Sequence, residues 1–586
     1  MPVDLVSRLV QHGHETPDRE AVVFVRNGAS GLLEEPLTYG ELDRKARAVA
    51  SWLRERCAIG DRVLMLYGTG PDFVTVLAGC MYAGVVAVPA PQPSSQRGHS
   101  SRSDGIVRDA DVRMVLTDSE YHGTAAEFLT RAELQDVPCV ATDRLDLPDA
   151  PDWQVEPPTA DKPVIIQYTS GSTSAPKGVV VTWGSLTHNI SLMTRAFAAD
   201  SESRSCSWLP AHHDMGLIGM LLTPLYHGAV TYQLAPMDFL RRPHLWLELI
   251  GLKQIKTVVA PNFAYDLCTR RVTDAQLEKL DFRTLTSAGN GAEPIDAGTL
   301  HRFAERFAPA GFRLDHFSPC YGMAETTLIV AGTRPDEPPV VTRVDGDALA
   351  ANEFRPVSAE AQGPELVSSG RVHDMDLRIV DPDTRATLHD GRIGEIWVRG
   401  GSIAAGYWRN EQATEQTFHA DTADTPESAR GFLRTGDIGT LYDGSLYVTG
   451  RIKDVLIVNG RNLHPHDIER ELLALHEGFR GLSGSACSIP VTGEQIVVMQ
   501  EIRRPSAEPG ELAALTSRLR GELSERVGVR IPNLVLLRPG QVRKTTSGKV
   551  QHSLMRELFI GGGLEAVFED LDAAAARRYR SEGTSE

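Results

Sequence analysis

The chain has 586 residues and a formal net charge of −17 at pH 7, a length that implies several structural units rather than one. The acidic balance argues against non-specific binding to nucleic acid or to an anionic membrane, because both need basic patches. The seven cysteines are odd in number and include no C-x-x-C pair, so neither a disulfide framework nor a zinc site is expected.

The N-terminus, MPVDLVSRLVQHGHETPDRE, lacks the apolar core of a signal peptide and reads as an amphipathic first helix. Thr38-Tyr39-Gly40-Glu41 has the pattern of a capping box, opening a helix with Leu42, Ala46, Val49 and Leu53 on one face. GDRVLMLY (60–67) reads as a buried strand, DFVTVLAGCMYAG as a helix and VVAVPAP as a second strand. A polar loop follows, and VRMVLTD resumes the strands. This alternation implies parallel sheets covered by helices. Residues 140–162, rich in Pro and Asp, are expected to cross the surface, and PVIIQY is the next buried strand. Residues 332–366 are polar and proline-rich with little periodicity, and a β-rich stretch follows. No run of about 18 apolar residues occurs, so no membrane span is expected and the expected compartment is the cytosol.

The strand PVIIQY runs into YTSGSTSAPKGVVV (168–181), a glycine and hydroxyl loop ending in one lysine. Converging backbone N–H groups and a lysine suit a polyanion. The order is wrong for a P-loop, G-x-x-x-x-G-K-[ST], because Lys177 precedes Gly178 rather than following a second glycine. Further along come SAGNGAEP (287–294), YGMAETT (321–327), RTGDIG (434–439), GRIKDVLIVNGRNLHPHDIE (450–469) and KTTSGKVQ (544–551).

In this order the six motifs resemble the adenylate-forming superfamily of acyl-CoA synthetases, peptide-synthetase adenylation domains and luciferases, over nearly the whole chain. The resemblance implies an α/β fold of two domains. A large N-terminal AMP-binding domain (1–452) would carry helix-covered parallel sheets, a polar insertion (about 332–366) and a β-rich subdomain (about 366–450). A small, mobile α+β domain (453–586) would carry the catalytic lysine loop. It also implies ATP and Mg²⁺ as cofactors and a carboxylic acid as substrate. Transfer of the acid to the α-phosphate gathers negative charge in the transition state, so cations and N–H donors are needed around the phosphates.

Matched position by position, Thr169, Ser170, Gly171, Ser172, Thr173 and Lys177 would clasp the outer phosphates, with Thr326 beside them. Glu325, a hard oxygen donor, would hold Mg²⁺. Tyr321, Gly322 and Met323 with Asn290, Gly291, Ala292 and Glu293 would surround the adenine. Asp437 would take the ribose hydroxyls, with Arg451. Lys549 would bridge the acid's carboxylate and the α-phosphate, and Lys453 would be the hinge on which the small domain turns between half-reactions. Two positions depart from the pattern. Ser174 stands where the family has Gly, at a cost of about 1 kcal/mol if φ is positive there, and His552 stands where an Arg is common.

Three features resemble fatty acyl-AMP ligases more than CoA ligases: WLPAHHDMGLIGMLLTPLYHG (208–228), the NGRN-x-x-P-x-DIE version of the hinge motif, and the insertion before ELVSSGR. His213 would gate the carboxylate, and Met215, Gly216, Leu217 and Ile218 would open the acyl pocket. Asp214 is normal in such ligases and does not imply an amino acid. The expected partner is a separate acyl carrier protein, since no D-S-L serine site is visible in the C-terminal region. An acyl-CoA synthetase and a nucleotide-binding pseudoenzyme remain the alternatives.

Overall fold

The structure is a computed structural model that describes residues 3–28, 31–92, 100–150, 153–169, 176–335, 337–424, 431–458, 461–491, 493–503, 508–545 and 548–580. The phosphate-loop residues Ser170, Gly171, Ser172, Thr173 and Ser174 lie outside the described residues.

The N-terminal helix Leu5–Glu15 is capped by Asp4, whose carboxylate accepts the Ser7 N–H. The capping box forms as expected: the Thr38 hydroxyl accepts the Glu41 N–H at 3.2 Å and Glu41 returns to the Thr38 N–H at 3.0 Å. Leu42, Ala46, Val49 and Leu53 are all buried on that helix. Two sheets form the body of the large domain. The first has six strands in the order Cys139–Ala141, Met114–Thr117, Arg62–Leu66, Val86–Pro89, Pro163–Thr169, Lys177–Thr182, parallel until its last pair. The second has nine strands, and its six central ones are parallel with antiparallel strands at both edges. Parallel strands buried on both faces explain why their sequences read as short apolar runs.

The motif loop at 170–175 joins two antiparallel strands, with Thr169 opposite Lys177. A P-loop leads from strand to helix; here the chain returns as a strand, which agrees with the motif order.

Residues 332–366 carry more structure than their composition suggested. Strand Val341–Arg343 pairs with Glu365–Val367, and a helix spans Gly346–Ala350. Val344 and Phe354 pack with Ile393 and Tyr447 of the β-rich part. These elements are too short for a period to show, and tertiary burial holds them. The β-rich part is a four-stranded antiparallel sheet ending at Arg451. Beyond it, residues 456–579 build two apolar clusters of their own around the sheet Gly484–Pro490, Glu494–Glu501, Asn533–Leu537, Ala566–Asp570.

Candidate active site

A cavity of about 3000 Å³ opens where the C-terminal ends of the parallel strands meet the β-rich sheet and the small domain, the usual place for a ligand in an open α/β sheet. Three groups of side chains converge there from separate stretches of chain.

The first is the ribose corner. Asp437 and Arg451 are cross-strand partners in the β-rich sheet, with Arg451 Nε 2.7 Å from Asp437 Oδ1. Tyr321, at the end of strand Phe317–Gly322, donates its phenol to Asp437 Oδ2 at 2.8 Å. The Asp437 carboxylate raises the Arg451 pKa, and burial keeps the Tyr321 phenol protonated. A carboxylate fixed at both oxygens is a rigid acceptor for a diol. Gly322 and Met323 line the same wall.

The second is the phosphate side. Glu325 lies in the turn Ala324–Thr326, nearly buried, and accepts the Tyr407 hydroxyl at 2.8 Å. Burial raises its pKa. Lys177 Nζ sits 4.6 Å from the centre of the same Tyr407 ring, so Tyr407 links the lysine and the carboxylate. One buried carboxylate with a neutral donor fits a Mg²⁺ that takes its remaining ligands from phosphates and water. Among the described residues no cluster of three or more acidic, His or Cys side chains forms an all-protein metal cage.

The third is the carboxylate side. Lys549 reaches in from a tight loop in which Thr545 N–H donates to Lys549 O at 2.8 Å and Lys549 N–H to Thr545 Oγ1 at 3.1 Å. Burial lowers the lysine's pKa and Arg451 lowers it further, while Asp214, Asp437 and Glu293 oppose the shift. Gly548 has φ +89°, and a Cβ there would stand 2.7 Å from the Phe263 ring, so only glycine brings the loop this close to the large domain. Glu293 accepts the Phe263 N–H, and burial pushes its pKa up to about 7 against the fields of Lys549 and Lys544. Asp214 caps the helix Met215–Leu222 through the Met215 N–H at 2.7 Å, and burial raises its pKa. His213 lines the cavity beside it.

Several expected site residues stand elsewhere. Thr326 is fully buried with its hydroxyl on the carbonyls of Met323, 2.9 Å, and Leu328, 3.1 Å; it shapes the turn instead of facing phosphate. Asn290 is buried and donates to Asn262. Gly291 allows the chain to pass Cys320, whose Sγ would be 2.8 Å from a Cβ. Ala292 and Glu293 reach the cavity. Of the acyl-pocket residues, Met215 lines the cavity, whereas Leu217 and Ile218 are in the core and Gly216 packs on the Pro210 carbonyl. Met215–Leu222 is a π-helix; Met215, Gly219 and Met220, with Thr223 just after it, line the cavity, while Leu217 and Ile218 turn into the core. Tyr407 and Phe263 carried no sequence signal beyond being aromatic. Lys453 is exposed at the junction of the β-rich sheet and the small domain. His552 pairs with Glu469 at 2.8 Å; burial alone would lower its pKa, but the carboxylate wins and raises it. The departure from Arg thus braces helix His552–Ile560 against Pro465–Leu475.

Residues 9–408 match the family of AMP-binding enzymes. The chain belongs to that family. Within it, this AMP-binding enzyme is similar to the medium-chain-fatty-acid–acyl-carrier-protein ligase JamA of Moorena producens, 36% identical over 96% of both chains. It is also 36% identical to a 4-hydroxyphenylalkanoate adenylyltransferase of Mycobacterium marinum, over 95% of this chain and 91% of that one. A fatty acyl-adenylate ligase from L. pneumophila, solved with acyl adenylate and pyrophosphate, is 32% identical and superposes with a TM-score of 0.74 over 97% of each chain. These likenesses place the AMP-binding enzyme in the fatty acyl-AMP ligase branch.

Proposed function

We propose that the protein activates a fatty acid with ATP and hands the acyl group to the phosphopantetheine thiol of a separate acyl carrier protein. A carboxylate oxygen attacks the α-phosphorus, the bond to the β-phosphate oxygen breaks, and pyrophosphate leaves. In the second half, the thiol sulfur attacks the acyl carbon, AMP departs and the thiol proton is released. The observation that carries this reading is the meeting of Lys549 with Asp437, Arg451 and Glu293 in one cavity, although they come from two domains.

Asp437 and Tyr321 bind and orient the ribose and adenine. Lys549, charged and desolvated, steadies the negative charge shared by carboxylate and α-phosphate, where a low dielectric makes it most effective. Lys177 and Thr169 attract the outgoing phosphates, together with the loop between them. Mg²⁺ on Glu325 would neutralise phosphate charge. His213 and Asp214 stand at the start of the acyl channel. We place the domain boundary at 452/453 with Lys453 as hinge, because the two sides have separate cores. Among the described residues no helix is long and apolar enough to cross a membrane, in keeping with a cytoplasmic reaction.

The test is acid-dependent ATP–pyrophosphate exchange, expected in the wild type and lost in Lys549→Ala. Adding CoA or a phosphopantetheinylated carrier protein then separates the acceptors. Thioester on the carrier is expected, and abundant acyl-CoA instead would refute the carrier step.

A further inference from the structure

The small domain touches the large one right beside the ribose corner. Gly450 precedes Arg451 on the last strand of the β-rich sheet, Ser445–Arg451. Across the junction at Lys453, His464 stands at the start of helix Pro465–Leu475 in the small domain. Its imidazole lies against Gly450: a Cβ there would be 2.4 Å from His464 Nδ1 and 3.0 Å from Cε1. Gly450 is not among the glycines with positive φ, so its missing side chain serves this close approach and not a turn.

The same helix reaches the catalytic loop. Glu469 accepts His552 Nε2 and the Ala486 N–H, each at 2.8 Å, and His552 follows Lys549 by three residues. One line of contacts therefore joins the strand of Arg451 to the lysine, through Gly450, His464, Glu469 and His552. The His464 Nδ1 is buried without a hydrogen-bond partner, which suits a neutral ring and penalises a charged one. Burial pushes the pKa of His464 down to about 4; His466, its ring stacked at 5.6 Å, lowers it further, and Asp467 opposes. The other charged groups nearby are Lys453 and Asp454 at the junction and Arg451, which is paired with Asp437.

We infer that His464 is a positioning residue: seated on Gly450 it holds the small domain in the orientation that presents Lys549, and protonation releases that seat. The inference rests on the adenylation reading and the hinge proposed above. When the hinge turns, the ring leaves Gly450 for water, where its ordinary pKa is 6.5. The seated ring binds fewer protons than the released one. The seat is therefore intact above about pH 6.5 and weakens as pH falls from 6.5 toward 4. Acid favours the orientation without the lysine.

The experiment measures single-turnover adenylation, and transfer from supplied acyl-adenylate, in Gly450→Ala, His464→Ala, the double variant and His464→Gln. Gly450→Ala wedges the domains apart, so adenylation should fall about tenfold or more while transfer changes less than twofold. In the double variant the ring is gone, and adenylation should return to the level of His464→Ala. At saturating ATP, wild-type adenylation should fall from pH 8 to pH 5 about tenfold more steeply than that of His464→Gln, since Glu325 titrates alike in both. Equal damage to both half-reactions in Gly450→Ala, or no rescue in the double variant, overturns the seat. A His464→Gln pH profile identical to the wild type overturns the release. Both results leave adenylation standing. Wild type that exchanges pyrophosphate with no acid from hexanoate to palmitate removes the adenylation reading, and this inference with it.

Discussion

The ribose corner and the lysine loop hold their key groups by different means. Asp437, Arg451 and Tyr321 lie in the large domain, on strands whose register sets them against one another before any ligand arrives. Lys549 comes from a domain with a core of its own and reaches the cavity on a loop that touches the large domain at Phe263. Close by, a Cβ at Gly481 of the small domain would stand 2.3 Å from Arg270 of the large one. A fixed half suits binding of a nucleotide common to both half-reactions. A movable half suits a group needed in only one of them.

The sharpest way to break this comparison is Lys549→Ala. Adenylation should fall by about 10²–10³-fold, the usual cost of a preorganised charge-stabilising group, with the thermal midpoint unchanged because no packing is lost. Transfer from supplied acyl-adenylate should be nearly normal. Equal loss in both half-reactions would place the lysine in the fixed half.

Asp437→Ala tests the other side. It removes the ribose acceptor and leaves Arg451 and the Tyr321 hydroxyl without their shared partner, so both half-reactions should suffer. KM for ATP should rise by about ten- to a hundredfold, the scale of 1.4 to 3 kcal/mol for a lost charged hydrogen bond. Isothermal titration with ATP checks it, and binding unchanged within error would refute the assignment.

Lys453→Pro fixes the hinge φ near −65°, and single-turnover assays should show transfer impaired about tenfold more than adenylation. Gly548→Ala has the opposite signature. Its strained φ and the Phe263 ring should push the loop out and cost adenylation about tenfold, with partial rescue by Phe263→Ala. The burial that lowers the Lys549 pKa also sets a pH limit. Charge is needed for function, so adenylation should decline as pH rises through a value below the ordinary 10.5, and Lys549→Arg should move that limb upward.

How far the sequence foretold this division depends on the kind of information each part needs. Buried parallel strands announce themselves as short apolar runs, and Asp437, Glu325 and Lys549 lie in motifs whose order was informative. Leu217 and Ile218 could not be placed by pattern, because in an unbroken apolar run nothing distinguishes the side that faces the core from the side that faces the cavity. Thr326 sits in the right motif but spends its hydroxyl on a tight turn before Thr327, whose φ is +67°. Tyr407 and Phe263 act through neighbours more than 80 residues or nearly 300 residues away, and contacts of that range leave no local trace.

Tyr407→Phe gives the smallest effect and the finest test of the fixed half. The ring that underlies Lys177 stays, and only the hydrogen bond to Glu325 goes. Burial already raises the Glu325 pKa, and the Tyr407 hydroxyl counters it by stabilising the carboxylate. Without that donor the pKa rises further. The acid limb of kcat/KM for ATP should therefore move to higher pH, with a few-fold loss at neutral pH, in line with about 1 kcal/mol for one hydrogen bond. A limb that stays in place while activity falls would mean that Tyr407 acts through Lys177 instead, and that the phosphate side is organised by the lysine rather than the carboxylate.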